Sequence, residues 1–250
     1  SGALWGGPTL KTPGNWNNWY NIYSDERKAL VLGFGGSNVW GDLNSRKYHE
    51  YFGSISYRPS KKLQITITPD FSTSYRELQY VTNIQWNKEN RYITASLNNT
   101  EYVLSFRVQY SINPELTIQY YVRPYLSSGK YRDYKMITNP MSSKYKNRFI
   151  NYTTNQLAYD AANKEYNVDE NVDGNADYSF PKSDFNFIDL QSNMIVRWEY
   201  RPGSTLFFVW TMGKQNYYDN HSTSVGNDVD NLLGSYPHNI FLLKFSYRFN

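Results

Sequence analysis

From Asp169 to Asp177 every second residue offers a side-chain oxygen: Asp169, Asn171, Asp173, Asn175 and Asp177, with Gly174 following the third. Alternate oxygen donors around a glycine that permits a sharp turn form the first half of a calcium-binding loop. The twelfth position, where a bidentate carboxylate would close the coordination sphere, is Phe180, so the full motif fails. Calcium ordering this loop is one reading, and an acidic, Asn/Gly-rich surface loop is the plainer one; magnesium or no ion fits the same residues. Three histidines, His49, His221 and His238, with Asp219 near the second, are the only further material for hydrolysis. That chemistry needs a nucleophile or activated water, a base and an orienting group brought together. No spacing in the chain fixes such a set, so no residue is assigned a catalytic role and no enzymatic activity is expected.

A second set of charges falls at alternate positions of long, otherwise apolar runs: Arg107, Arg123, Asp189, Arg197, Glu199, Lys244 and Arg248. Their meaning depends on the elements that carry them. Residues 102–110 place Tyr102, Leu104, Phe106, Val108 and Tyr110 on one side and Val103, Ser105, Arg107 and Gln109 on the other. The same period of two recurs in 63–68, 116–123, 188–200, 206–212 and 241–249, and no Asp, Glu, Lys or Arg occurs on the apolar side of any of them. A Lys or Arg facing lipid at mid-bilayer costs about 2–4 kcal/mol, which explains such an exclusion. The charged set would then face the lumen of a barrel, either as a lining that selects a solute or as interior ion pairs. Tyr57, Trp198, Tyr200, Tyr247 and Phe249, at strand ends, read as membrane-interface anchors.

Composition agrees with strands. The 250 residues include 25 Tyr, 13 Phe and 7 Trp and no cysteine, so disulfides and thiolate metal sites are excluded. Mean hydropathy is −0.71, and no apolar stretch of about eighteen residues exists that could form a membrane-spanning helix. Spanning barrels escape that test because their strands alternate. The net charge of +4 carries no long basic cluster, which argues against a nucleic-acid partner. The start, Ser1–Pro8, has no basic segment followed by an apolar one, so it is not a signal peptide.

The fold class expected is all-β, an antiparallel transmembrane β-barrel of the outer-membrane type. About eleven strands are expected, at 15–23, 28–37, 46–57, 62–69, 77–86, 91–97, 102–111, 116–124, 187–200, 204–214 and 238–249. With Phe249 at the periplasmic side, the short connections at 25–28, 58–61, 87–90, 112–115 and 201–204 fall on that side. The longer ones near 37–46, 69–77, 125–186 and 215–237, with the short 98–101, fall outside. Short inner turns and longer outer loops are the arrangement of outer-membrane barrels. The odd count implies that residues 1–250 are the C-terminal part of a larger barrel, with a long outer loop at about 125–186. That loop could be a plug, or could contact a glycan or a partner through segments such as Lys130–Lys135.

The run Asp184 to Met212, and within it Trp198-Glu-Tyr-Arg-Pro-Gly-Ser-Thr205, resembles the C-terminal signature of family 5916 of the domains of unknown function, found in Bacteroidota. Gly6-Gly7-Pro8 and Asn239 to Phe249 are similar too. The resemblance implies an outer-membrane barrel preceded by a carbohydrate-binding-family-9-like β-sandwich. That module is not within these residues, so its carbohydrate binding does not carry over to them. Two functions are therefore expected of the chain: a non-enzymatic outer-membrane barrel that handles or transports a solute or glycan, or a structural or accessory subunit of a larger outer-membrane assembly. The partners implied are outer-membrane lipid, other outer-membrane proteins and a glycan.

Overall fold

The computed structural model describes residues 4–222 and 224–249. Asn250 and the first three residues of the Ser1–Pro8 start lie outside the described residues. The chain is all-β and antiparallel. Six strands run first as a meander: β1 (Asn15–Tyr23), β2 (Leu30–Gly41), β3 (Arg46–Ser60), β4 (Leu63–Trp86), β5 (Glu89–Ser111) and β6 (Leu116–Ile137). An excursion holds four short strands, β7 (Phe149–Asn151), β8 (Leu157–Asp160), β9 (Glu165–Val168) and β10 (Tyr178–Pro181). The meander then resumes with β11 (Phe185–Arg201) and β12 (Ser204–Tyr218), and a helix α1 (Val225–Gly234) precedes β13 (His238–Ser246). Strands β1 to β6, β11, β12 and β13 lie side by side in that order, with β7 added beside β6; β8, β9 and β10 make a separate small sheet. β1 and β13 form the two edges of the large sheet, which is not closed on itself among the described residues.

The expected eleven long strands are therefore nine. The stretches 62–69 and 77–86 are one strand, β4, and 91–97 and 102–111 are one strand, β5. Residues 70–76 keep the period of two and are paired on both sides, with β3 and β5, while Pro69 is paired with Leu104 of β5 alone; this pairing overrides the turn preferences of Pro69 and Asp70. Pairing with β3 skips a step between Phe52↔Asp70 and Ile55↔Ile67, where Pro69 has no N–H to give. In β5 the segment Asn98-Asn-Thr-Glu101 also stays in the ladder. Its polar side chains bond along and across strands: Glu101 accepts from Asn99 Nδ2 of its own strand at 2.9 Å and from the Ser127 and Ser72 hydroxyls of the two neighbouring strands at 3.4 Å each.

Losing two connections reverses the side assigned to a third. The turn at 87–90 does not lie with the short turns at 25–28, 58–61, 112–115 and 201–204; it lies at the opposite end of the sheet, at the tip of the long β4–β5 hairpin. Asn87 and Lys88 sit at φ 48° and 64°, the left-handed pair of a two-residue hairpin turn. The long excursion is also shorter than expected, because β6 runs on to Ile137 and β11 starts at Phe185. The last strand stops at Ser246, so Tyr247, Arg248 and Phe249 follow it without strand pairing.

Beyond the level of the neighbouring strands, the β4–β5–β6 extension is covered on both sides. Leu4, Leu10, Tyr145 and Phe149 pack with Leu78, Tyr80 and Tyr92. On the side of Ile93 and Ala95, Val168 and Phe180 of the small sheet pack with Tyr134. The helix α1, in a region expected only as loop, is seated by Leu232 against Leu126 and Ile188. Its start was legible: the Ser224 hydroxyl accepts from the Asn227 N–H, and Val225, Val229 and Leu233 recur at helical spacing.

Candidate functional site

Strand register sorts the side chains of the large sheet into two faces, since directly paired residues point the same way. On one face Leu63, Ile65 and Ile67 of β4 stand opposite Tyr110, Val108 and Phe106 of β5. These continue into Ile118, Tyr120 and Val122 of β6, then Val196, Met194 and Ser192 of β11. Phe208, Trp210 and Met212 of β12 follow, then Leu243, Phe241 and Asn239 of β13. In the other direction the face passes through Ile55 and Tyr57 to Leu30 and Leu32. Its one charge among the described residues is Lys214, level with Pro69, Leu104, Pro124 and Leu190, whose ammonium donates to the Leu233 carbonyl at 2.7 Å. The side chains of the belt are open: Leu243 is 67% exposed, Phe245 65% and Leu32 50%. From Leu63 to Phe71 the belt is nine residues, about 27 Å along the strand and about 20 Å in height at a tilt of about 40°.

The opposite face is polar, and it carries Arg107, Arg123, Asp189, Arg197 and Lys244. Arg107 lies over the ring of its cross-strand partner Tyr121 at 5.0 Å, and Arg123 over Tyr125 at 5.7 Å. Arg197 pairs with Glu199 at 2.9 Å, and Glu199 also accepts the Gly203 N–H, which closes the 201–204 turn. Arg248 is beside that turn, its N–H donated to the Ser204 hydroxyl. Sequence reading missed three carboxylates of this face, Glu50, Asp70 and Glu101, because two of them fell in segments taken as connections. The register sets Glu50–Ser72–Glu101–Ser127 in one row and Asp70–Val103–Tyr125–Asp189 in the next, nearer the short turns. Arg107, Arg197 and Lys244 lie still closer to those turns. Apart from Glu199, paired with Arg197 beside the turn, these acidic and basic groups occupy different rows of the face.

The residues read as anchors gather at the short-turn end of the belt. Tyr57 and Trp198 are exposed, Trp198 meets Tyr200 edge-on at 6.0 Å, and Tyr200 stacks on Phe245 at 5.6 Å. Tyr247 contacts Phe249 at 4.8 Å and accepts a hydrogen bond from Arg201.

The half-motif Asp169–Asp177 is folded around its own amides. Asp169 accepts from the N–H groups of Asp173 and Gly174, Asp173 accepts from Asn175, and Asn171 Oδ1 also accepts from Asp173. The Asn175 amide holds the exposed Asp173 carboxyl below its ordinary value. Asp177 accepts the Glu170 N–H at 2.8 Å. Among the described residues no three His, Asp or Glu side chains converge to hold a metal ion.

The residue that ties this loop to the sheet is one the sequence pattern did not single out. Glu170 receives Arg91 Nε on both oxygens, at 3.2 and 3.0 Å, and the Tyr178 hydroxyl at 2.9 Å. Tyr152 lies 3.0 Å from Tyr178, and burial pushes its phenol up to about 12. Arg91 also bonds Glu89 and lies over Trp86, so the hairpin tip clamps the excursion.

At the far end of the apolar belt, β6, β11 and α1 enclose a cavity of about 380 Å³. Ser128 Oγ lies 2.8 Å from His221 Nδ1 and accepts the Ser222 N–H. The nearby carboxylate, Asp228, is held by Ser222 Oγ and Asn186 Nδ2. Burial, and Lys130 next, keep the His221 imidazole below its ordinary value. Ser128 and His221 make a nucleophile–base pair, but among the described residues no carboxylate bonds the imidazole to orient it. His49 is apart from them, bonded to Asn38 at 2.7 Å, and His238 begins β13.

Fold and faces define an antiparallel β-sheet protein with one predominantly apolar face and one polar, charge-bearing face. The model of one family, described as a domain of unknown function (DUF5916), matches residues 5–249. The chain belongs to that family. No curated protein and no solved structure matches it.

Proposed function

We propose that this chain is part of an outer-membrane β-barrel whose apolar face meets lipid and whose polar face lines the lumen. One observation carries the reading: a belt of open apolar side chains runs across eight strands, β2 to β6 and β11 to β13, with a single charge, Lys214, toward its outer margin. Burying it against lipid removes that surface from water, whereas in water so large a patch would drive association. The aromatic residues at the short-turn end then stand at the inner headgroup level, and the β4–β5–β6 extension with its small sheet projects outside. The charged levels of the polar face select and pass a solute, with a glycan as the substrate class suggested by the tyrosine-rich outer layer.

The free edges of β1 and β13 favour a second element in the reading. Unpaired edges do not persist in hydrocarbon, so these two pair with each other, or with strands from another segment or another protein of an assembly. The test is the native full-length protein in planar bilayers. Discrete conductance that changes ion selectivity when Glu101 and Asp189 become Gln and Asn supports transport. Absence of conductance with stable co-purification of partners supports the accessory role instead.

A further inference from the structure

The apolar belt is not smooth. Where Gly53 lies opposite Pro69 without pairing to it, and Pro124 stands two strands further on, three positions lack a long side chain, and a groove of about 500 Å³ opens across β3 to β6. Phe71 and Tyr102, 5.0 Å apart, wall one part of it, and Val229 of α1 closes its outer end. Its lining is almost wholly apolar. The groove adjoins the polar cavity under α1: Tyr102 and Leu126 line both, and Val225 and Val229, one helical turn apart, face one each. An apolar slot thus leads, along one face of the sheet, to a pocket of hydroxyl, amide and imidazole groups. The next residues on the same face of β6 after Ser128 are Lys130 and Arg132, beyond the end of the belt.

We propose that this continuous groove and pocket bind one phosphate-bearing lipid, an acyl chain lying over Gly53, Pro69 and Pro124 and the headgroup held near Ser128, His221, Lys130 and Arg132. The inference rests on the lipid-facing reading of the belt. Three features select a lipid over other occupants. The apolar slot is continuous with the belt; the polar pocket lies toward the projecting end, as a headgroup of the outer leaflet would; and the flanking Lys130 and Arg132 are cationic, as in pockets for anionic headgroups, the flanking Asp184 being paired with Lys182 at 3.1 Å. Asp228, the one carboxylate in the pocket, has its oxygens taken up by Ser222 and Asn186, so it shapes the pocket walls. Val225, Val229 and Leu233, exposed along one side of α1, place that helix at the interface over the lipid.

The test is native mass spectrometry of the detergent-purified full-length protein with phosphatidylglycerol or phosphatidylcholine of identical chains. One phosphatidylglycerol should survive activation that strips the rest, retained about tenfold over phosphatidylcholine. Lys130→Gln with Arg132→Gln should abolish the preference. Leu104→Trp and Val229→Trp, which fill the groove from exposed positions, should lower retention of both lipids, while Leu32→Trp, on the same face outside the groove, should not. Equal retention of the two lipids together with no effect of Leu104→Trp and Val229→Trp overturns the site. Flotation of the same wild-type protein with vesicles separates the failures. A protein that floats but shows no selective lipid refutes the groove alone, and one that does not float refutes the lipid-facing belt and the groove with it.

Discussion

Val122→Arg puts a charge at the middle of the belt. On β6 the apolar face runs Leu116, Ile118, Tyr120, Val122, Pro124 and Leu126, and Val122 pairs with Phe106 on one side and Ser192 on the other. Six residues separate it from Leu116, beside the 112–115 turn. At about 3.4 Å per residue and a tilt of about 40° that is about 15 Å of depth, close to the midplane of a band about 25 Å tall. The expected cost there is about 2–4 kcal/mol, or about 30- to 900-fold in the folding equilibrium. Leu116→Arg, at the interface, should cost only about 0–1 kcal/mol. Gln119→Arg, on the polar face of the same strand, should fall within about 0.5 kcal/mol. The assay is reversible urea unfolding of the full-length protein in phospholipid vesicles. A face covered by protein gives costs that follow local packing, whereas lipid gives costs that follow depth. Equal destabilisation by Val122→Arg and Leu116→Arg, or by Val122→Arg and Gln119→Arg, refutes the reasoning.

Arg91→Ala removes both charge-assisted bonds to Glu170 and leaves that carboxylate half-buried, so the 138–184 excursion should loosen by about 2–3 kcal/mol and be cleaved faster by protease. The double variant Arg91→Ala/Glu170→Ala should recover part of that loss. The Tyr152 phenol titrates near 10 when unfolded and near 12 when folded. Between those values the folded state holds the extra proton, so the stabilisation is whole below pH 10 and is lost as pH rises toward 12, up to about 3 kcal/mol. Amide exchange of β9 and β10 should accelerate over that window, and Tyr152→Phe should flatten the dependence. Ser224→Ala deletes the α1 cap and should cost about 1 kcal/mol, read as faster exchange at residues 225–229 with the belt strands unchanged.

The half of each strand that alternates strongly was legible in the sequence, because a period of two with one uncharged side admits few other elements. The apolar belt and the five charges of the polar face followed from it. The outer halves were not legible. Pro69, Asp70 and Asn98–Asn99 are turn formers by local propensity, yet Asp70 and the two asparagines are paired on both sides and Pro69 with β5, information no local window contains. The same error hid Asp70 and Glu101. Arg91 and Glu170 are 79 positions apart, and only the fold brings them together. In the calcium-like run the spacing was read correctly, but the donors serve backbone amides of an Asx-rich turn, a competing use that the sequence cannot distinguish from a cation. Helix α1 was overlooked although its cap and its Val225–Val229–Leu233 stripe were present, since ten residues inside a polar connection carry a weak signal.

The chain contains no cysteine, so single cysteines can be placed at each residue from 116 to 126 on β6 and labelled with an environment-sensitive fluorophore in the full-length protein. In vesicles containing brominated lipid, quenching should alternate: strong at 118, 120, 122 and 124, weak at 117, 119, 121 and 123, with the maximum near 122. Quenching that is uniform along the strand, or absent at 122, contradicts the lipid-facing belt and with it the outer-membrane reading of this sheet.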